Sequence, residues 1–334
     1  MKSRGPATNC IYEWNAWNGY LLKVIFPGAT RIRANIGQSH RDVLTQVERH
    51  NGWFAFHINL TETARIPRDR ETLCESLRGR GIRVLNESLT TISKHAIQDA
   101  CAAAGLPTTR APILGDPDEI LILKSSYNYG GERERQLARS ERQELGLPTE
   151  CTWKAGHDGY VVLPRRRIDI NRWEPAEVIL ERYIQNSRNF FYRAYVFLDR
   201  LVISRVVDPS RLKKMPIGIR RVNWFVTLPD LTVVRRGNPP MHVARALAAF
   251  CAQIKLDFGA LDVVEDEHGE SYIIDLNTTP YWGDGGHPDL IAFLAEGSPE
   301  RSRKPVDACS GDPAETTNKF VSSDSSSTTL HRRD

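Results

Sequence analysis

The sequence predicts an α/β protein of α+β character, with a small N-terminal α/β layer followed by a larger, β-rich region that ends in helices and two acidic strands. Three observations predict it. Strand-like and helix-like runs alternate up to about residue 90, β-rich runs dominate from Glu119 to Val207, and two late strands carry acidic residues at matched positions.

The elements follow in order. GYLLKVIF (Gly19 to Phe26) and FAFHINL (Phe54 to Leu60) read as strands, and HRDVLTQVERH between them has helical spacing at Val43, Leu44 and Val47. DRETLCESLRGRG reads as a helix stopped at Gly81, IRVLN as a strand, and Thr91 to Ala104 as a helix stopped at Gly105. Beyond Pro107, EILILKSS (Glu119 to Ser126) is a strand running into the loop YNYGGERER. YVVLPRR, EVILERYI, NFFYRAYVFL and RLVISRVV are β-rich, the last two forming a hairpin at Asp199-Arg200. A helix from Pro240 to Leu256 precedes the strands GALDVVE and SYIIDLN, joined at DEHGE, and a last helix starts near His287. The expected divisions are an N-terminal domain over 1–90, a main domain over 91–297 and a tail over 298–334. The tail is rich in Ser, Thr and charge, cannot bury enough apolar surface to offset its ordering entropy, and reads as disordered.

Composition narrows the function. With 45 basic and 41 acidic residues in 334, the net charge of +4 disfavours a nucleic-acid binder. No run approaches the roughly 20 apolar residues of a membrane span, and MKSRGPATNC lacks the apolar stretch of a signal peptide. The six cysteines form no CxxC or Cys/His cluster, so a zinc site is disfavoured, and unclustered thiols without an export signal point to the cytoplasm.

The chemistry concentrates in Phe258 to Pro280. A simple hairpin about His268-Gly269 sets Asp262 opposite Asp275, with Asn277 on the same face. Like charges placed opposite each other destabilise a sheet. A divalent cation with hard oxygen ligands, Mg²⁺ above all, would relieve them; a solvent-facing polar strand face is the other reading. Lys124 ends an apolar strand and is followed by Gly130-Gly131, an arrangement that suits a polyphosphate or is an edge lysine before a turn. Glu181 ends another apolar strand, where the chain can receive a flat base or simply carry a surface ion pair.

Taken together and in this order, AGLPTTRAP after Lys94, ILKSSYNYGG, VILERYI and LDVVEDEHGESYIIDLNTTP resemble the ATP-grasp superfamily over about Ser93 to Leu294. The resemblance implies a fold of two α+β subdomains clasping ATP behind a short N-terminal domain. It implies Asp262, Asp275 and Asn277 as Mg²⁺ ligands, and Lys124 and Lys94 as phosphate lysines. Tyr127 to Glu132, with Gly130 and Gly131, would be the lid over the triphosphate. Glu181, Arg182, Tyr183 and Ile184 would be the hinge at the adenine. Asn277 to Gly286, with Trp282, would lead to the acceptor substrate. Two departures stand out. Ala260 occupies the position where many ligases of the family carry a cation, and Arg188 replaces the expected ribose-binding acid. A substitute cation is therefore sought on the hairpin after the hinge, at Arg193 or Arg205, with Arg205 favoured and Lys213 and Lys214 next.

The resemblance implies an ATP- and Mg²⁺-dependent ligase that joins a small-molecule carboxylate to an amine through an acylphosphate. Nucleic acid and membrane are not expected partners, and a homodimer is compatible. A phosphotransferase on the same fold and a nucleotide-binding protein without turnover are the alternatives.

Overall fold

The computed structural model describes residues 8–47, 52–149, 160–173, 176–212, 219–235, 237–281 and 287–297. The tail over 298–334, Cys151, Cys309, Lys213, Lys214 and the stretch 282–286 lie outside the described residues.

Four short strands, β1 (Cys10–Glu13), β2 (Thr30–Arg33), β3 (Trp53–His57) and β4 (Arg83–Leu85), form a parallel sheet in the order β2-β1-β3-β4. Their connections carry α1 (Leu21–Ile25), α2 (His40–Val47) and α3 (Arg70–Gly79). The expected strand at Gly19 to Phe26 is instead α1. Leu21, Leu22 and Ile25 are all buried, and so short an apolar run reads alike as a buried strand or a buried helix. Tertiary bonds decide the matter. Leu21 N donates to Pro280 O at 2.9 Å, and the buried Lys23 Nζ bonds the carbonyls of Asn15 (2.7 Å) and Trp17 (2.9 Å) and pairs with Glu13.

After α4 (Lys94–Ala103), the strands β5 (Ile120–Ser125), β6 (Tyr160–Pro164) and β7 (Val178–Arg182) form an antiparallel sheet in the order β6-β5-β7. Its apolar face packs Leu121, Leu123, Val178 and Leu180 against Ala111. Between β5 and β6 lie α5 (Glu132–Arg135) and α6 (Arg139–Leu145), and Leu137, Leu145 and Leu147 bury themselves in the core of the N-terminal sheet.

The largest sheet contains β8 (Phe190–Phe197), β9 (Arg200–Val207), β10 (Ile219–Thr227), β11 (Thr232–Val233), β12 (Phe258–Glu265) and β13 (Ser271–Asn277), in the order β11-β10-β9-β8-β12-β13. One face carries Tyr192, Ala194, Leu261, Val263 and Ile273 and is covered by α4 and by α7 (Met241–Ile254). On the other face, Tyr195, Phe197, Phe258 and Ala260 share a core with Ile11, Ala55 and Leu85 of the N-terminal sheet and with α8 (Pro288–Ala295). Asn86 fixes this junction. Its side chain donates to Phe258 O (2.7 Å) and accepts from the backbone N–H groups of Asp257 (2.9 Å) and Phe258 (3.1 Å). The core therefore runs across the boundary expected near residue 90.

One irregularity decides which way the acidic strand faces. Near the turn the pairs are Glu265–Ser271, Val264–Tyr272 and Val263–Ile273; beyond a bulge they are Asp262–Asp275, Leu261–Leu276 and Ala260–Asn277. The turn is closed by Asp266 N bonding Glu270 O at 3.0 Å, so it is centred on His268 and differs by one residue from the simple hairpin expected. Continued without a break, that register would set Asp275 against Leu261 and turn it into the α7-covered core. The extra residue, Ile274, restores the pairing of Asp275 with Asp262 on the open face.

His57, at the end of β3, is 1% exposed, lies among the rings of Tyr20 and Phe258, and has no hydrogen-bond partner for either ring nitrogen. Burial first, then nearby Lys23, pulls its pKa from 6.5 down to about 3. The unfolded chain therefore takes up a proton below about pH 6.5 that the folded chain refuses. Stability from this residue is complete above that pH and is lost as pH falls toward 3, by up to roughly 4 kcal/mol across the window. Urea midpoints for His57→Phe should fall less steeply between pH 6.5 and 3 than those of the parent; equal slopes would show that His57 is not held neutral.

Candidate functional site

The open face of the hairpin brings together side chains from four elements, β12, β13, β8 and α4. Asp262 and Asp275 stand opposite each other, and Asn277 follows on the same face. On the neighbouring strand β8, Arg193 lies opposite Asp262, and its Nη1 reaches both carboxylate oxygens, at 3.0 and 2.7 Å. Both partners are buried. Lys94 begins α4, whose first turn is capped by Ser93 Oγ accepting from Ala96 N at 3.2 Å. Its backbone N–H bonds Ser126 O at 2.8 Å, and its ammonium pairs with Asp275 Oδ1.

The three-stranded sheet supplies the opposite wall. Glu181 is registered against Ile122, so Lys124, two residues along, projects from the same face, and Lys124 Nζ meets Glu181 Oε2 at 2.6 Å. Both are buried, and Glu181 Oε1 has no partner. Tyr160, registered against Lys124, shares that face, near Asp275. Beside the acids is an apolar shelf of Phe191, Val206 and Val264, with Ile184 and Ile274 packed against it. The same bulge that turns Asp275 outward places Ile274 on this shelf.

The two aspartates differ electrostatically. Burial raises the Asp262 carboxyl, nearby Asp275 adds to the rise, and Arg193 opposes it. Burial also pushes Asp275 upward, but Lys94, Lys124 and Arg193 outweigh it and leave its pKa lowered. Arg193 is held firmly charged: burial works against the guanidinium, and Asp262 more than offsets it. The Tyr160 phenol is pushed up to about 12, by burial and then by Asp275, and so is a neutral donor.

Among the described residues there is no group of three or more His, Cys, Asp or Glu that could hold a metal. The trio here is two carboxylates and one amide, all hard oxygen donors, which suits Mg²⁺ completed by water and phosphate oxygens. Asn277 Oδ1 accepts from Thr279 N at 2.8 Å, which aims the amide oxygen and starts the turn toward Pro280 and Tyr281.

Not every expected residue joins this face. Arg205 pairs with Tyr192 across β8 and β9 and so projects from the α7-covered side, with its guanidinium over the Phe190 ring. The preference for Arg205 over Arg193 is thus reversed, because one step of strand alternation separates the two faces. Arg188 pairs with the buried Glu265, which also bonds Tyr192 and His242. Arg182 N and Tyr183 N are spent on Thr109 O (2.7 Å) and Ile120 O (3.0 Å), and the Arg182 side chain lies beside Glu119. In the expected lid, Asn128 N donates to Thr61 Oγ1 at 2.8 Å and Tyr127 packs on the N-terminal core. Gly130 and Gly131 adopt φ of 64° and 77°, a left-handed turn that favours glycine.

The sequence does not single out Tyr160. Its run reads only as a strand, and its place beside Lys124 follows from the pairing of β5 with β6. Cys10, Cys74, Cys101 and Cys251 are free and buried, with thiol pKa values pushed up to about 12, 11, 12 and 12, so none is a nucleophile.

No family model and no curated protein matches the chain. Solved structures similar to it include the D-cycloserine synthetase DcsG (15% identity, TM-score 0.46, covering 88% of this chain and 100% of that one). The ATP-grasp ligase PsnB complexed with minimal precursor is similar at 13% identity and TM-score 0.44, over 83% of this chain and 92% of that one. The D-alanine–D-alanine ligase from Bacillus anthracis complexed with ATP is similar at 11% identity and TM-score 0.43, over 86% and 91%. In chain order the protein sets a small parallel sheet first, then a three-stranded sheet bearing Lys124 and Glu181, then a six-stranded sheet bearing the Asp262, Asp275 and Asn277 face.

Proposed function

We propose that this protein is an ATP- and Mg²⁺-dependent ligase that activates a carboxylate as an acylphosphate and passes the acyl group to an amine. One observation carries the reading: Lys94 and Arg193 reach, from two separate elements, the face that holds Asp262, Asp275 and Asn277, and Lys124, paired with Glu181 on the facing sheet, lies close enough to help hold the Asp275 carboxyl down.

In this reading Glu181 and the Phe191 shelf receive the base, Lys124 and Lys94 hold phosphates, and Asp262, Asp275 and Asn277 hold Mg²⁺, whose charge offsets that of the phosphates. A substrate carboxylate oxygen forms a bond to the γ-phosphorus as the bond to the bridging oxygen breaks and ADP leaves. Arg193 stabilises the charge spread over the transferring group. The amine then bonds to the acyl carbon, phosphate departs, and the amine's proton is lost. Positioning and charge suffice, and no covalent nucleophile from the protein is needed.

Among the described residues no helix is long and apolar enough to cross a membrane. We place the reaction in the cytoplasm, in keeping with the free thiols. The test is ADP release with pools of carboxylates and amines, followed by mass spectrometry. An amide with free phosphate supports the ligase. A phosphorylated metabolite would make it a phosphotransferase, and nucleotide binding without ADP would remove catalysis.

The phosphate grip gives a separate prediction. Removing Lys124 alone would leave Glu181 buried without its counter-charge, so the comparison starts from Glu181→Gln. Adding Lys124→Met to that variant should weaken ATP by about 10- to 100-fold, the worth of a charged hydrogen bond, and barely change adenosine. Calorimetry of both ligands checks it; equal weakening would put Lys124 outside the phosphate site.

A further inference from the structure

Three ion pairs cross the proposed nucleotide face, and each joins a cation to an acid that the ligands would claim. Lys94 sits on Asp275, Arg193 on both oxygens of Asp262, and Lys124 on Glu181. The six formal charges sum to zero. A divalent cation arriving alone finds no net attraction, and its two carboxylates already carry Lys94 and Arg193. A polyphosphate arriving alone finds both lysines held by acids. When the two arrive together, each removes the other's obstacle: phosphate oxygens draw the Lys94 ammonium off Asp275, and the released Asp275 takes the metal beside Asp262.

We infer that these pairs form an exchange lock that makes the metal and the polyphosphate bind as a unit, with Lys94 as the coupling residue. The inference rests on the nucleotide reading above. Lys94 is singled out because it joins a residue proposed to hold the bound polyphosphate directly to a proposed metal ligand, whereas Arg193, on Asp262, is assigned to the transferring group. By linkage, whatever the polyphosphate gains from the metal, the metal gains from the polyphosphate.

The lock makes a prediction that a simple binding site does not: deleting a binding residue should strengthen one ligand. In the full-length protein, Mn²⁺ stands in for Mg²⁺ and is followed by paramagnetic resonance, with and without an imido-bridged ATP analogue and corrected for Mn²⁺ held by free analogue. The parent should bind Mn²⁺ weakly alone and at least about tenfold more tightly with the analogue. Lys94→Met should bind Mn²⁺ alone about tenfold more tightly than the parent and show less coupling, and Lys94→Arg should restore the parent pattern. Circular dichroism checks each fold, and Lys94→Gln replaces the methionine variant if that one unfolds.

Unchanged or weaker Mn²⁺ binding in the folded neutral variant would overturn the lock. So would a parent that binds Mn²⁺ equally with and without bound analogue, a result that needs no variant and leaves the nucleotide reading intact. A parent that fails to bind the analogue at all removes the nucleotide reading, and the lock with it.

Discussion

Asp275→Asn should reduce Mg²⁺-dependent ADP formation by at least 100-fold while leaving the fold in place. The loss is that expected when a preorganised charged group is removed from a phosphoryl-transfer site. Asparagine keeps an oxygen for Lys94 and for Leu276 N, which Asp275 Oδ1 accepts at 2.9 Å. The ammonium thus stays partnered. Asp275→Ala should behave differently, because it leaves Lys94, only 5% exposed, without a counter-charge. Breaking such a pair typically costs about 3–5 kcal/mol. Turnover and thermal melting, measured on both variants, separate the two effects. An active asparagine variant would remove Asp275 from the metal site.

Arg193→Lys should lower kcat by on the order of 10²–10³ and change nucleotide affinity much less. Lysine preserves the charge beside Asp262 but not the planar fork, which lets one guanidinium meet a carboxylate and a transferring phosphoryl together. Arg205→Ala should leave the chemical step within about threefold of the parent, because its side chain projects from the other face of the sheet. Single-turnover ADP formation beside equilibrium binding makes the comparison. A slow Arg205 variant with a normal Arg193→Lys would reverse the assignment.

The contrast between these arginines shows what the sequence carries and what it does not. The acid pair was legible because two-residue alternation and a short turn nearly determine which positions face each other. Even so, the facing of Asp262 and Asp275 depends on a bulge at Ile274 that compensates an altered turn, and neither feature has a sequence mark of its own. Lys124 and Glu181 were legible as the ends of apolar strands. Their mutual contact, and that of Tyr160, needed the strand order β6-β5-β7. Arg193 and Arg205 lie on adjoining strands with similar surroundings, and only the registered pairs Arg193–Ser204 and Tyr192–Arg205 assign them to opposite faces. The N-terminal helix α1 reads as a strand in sequence because one of the bonds that holds it, Leu21 N to Pro280 O, reaches some 260 residues along the chain.

The most direct measurement is a crystal structure of the full chain grown with Mn²⁺ and the imido-bridged ATP analogue, with anomalous data collected for the metal. The account predicts an anomalous peak within coordination distance of Asp262, Asp275 and Asn277, with Lys94 and Lys124 on phosphate oxygens and the base on the Phe191 shelf. A metal peak away from those three residues, or a nucleotide bound elsewhere while Lys94 still rests on Asp275, would contradict it.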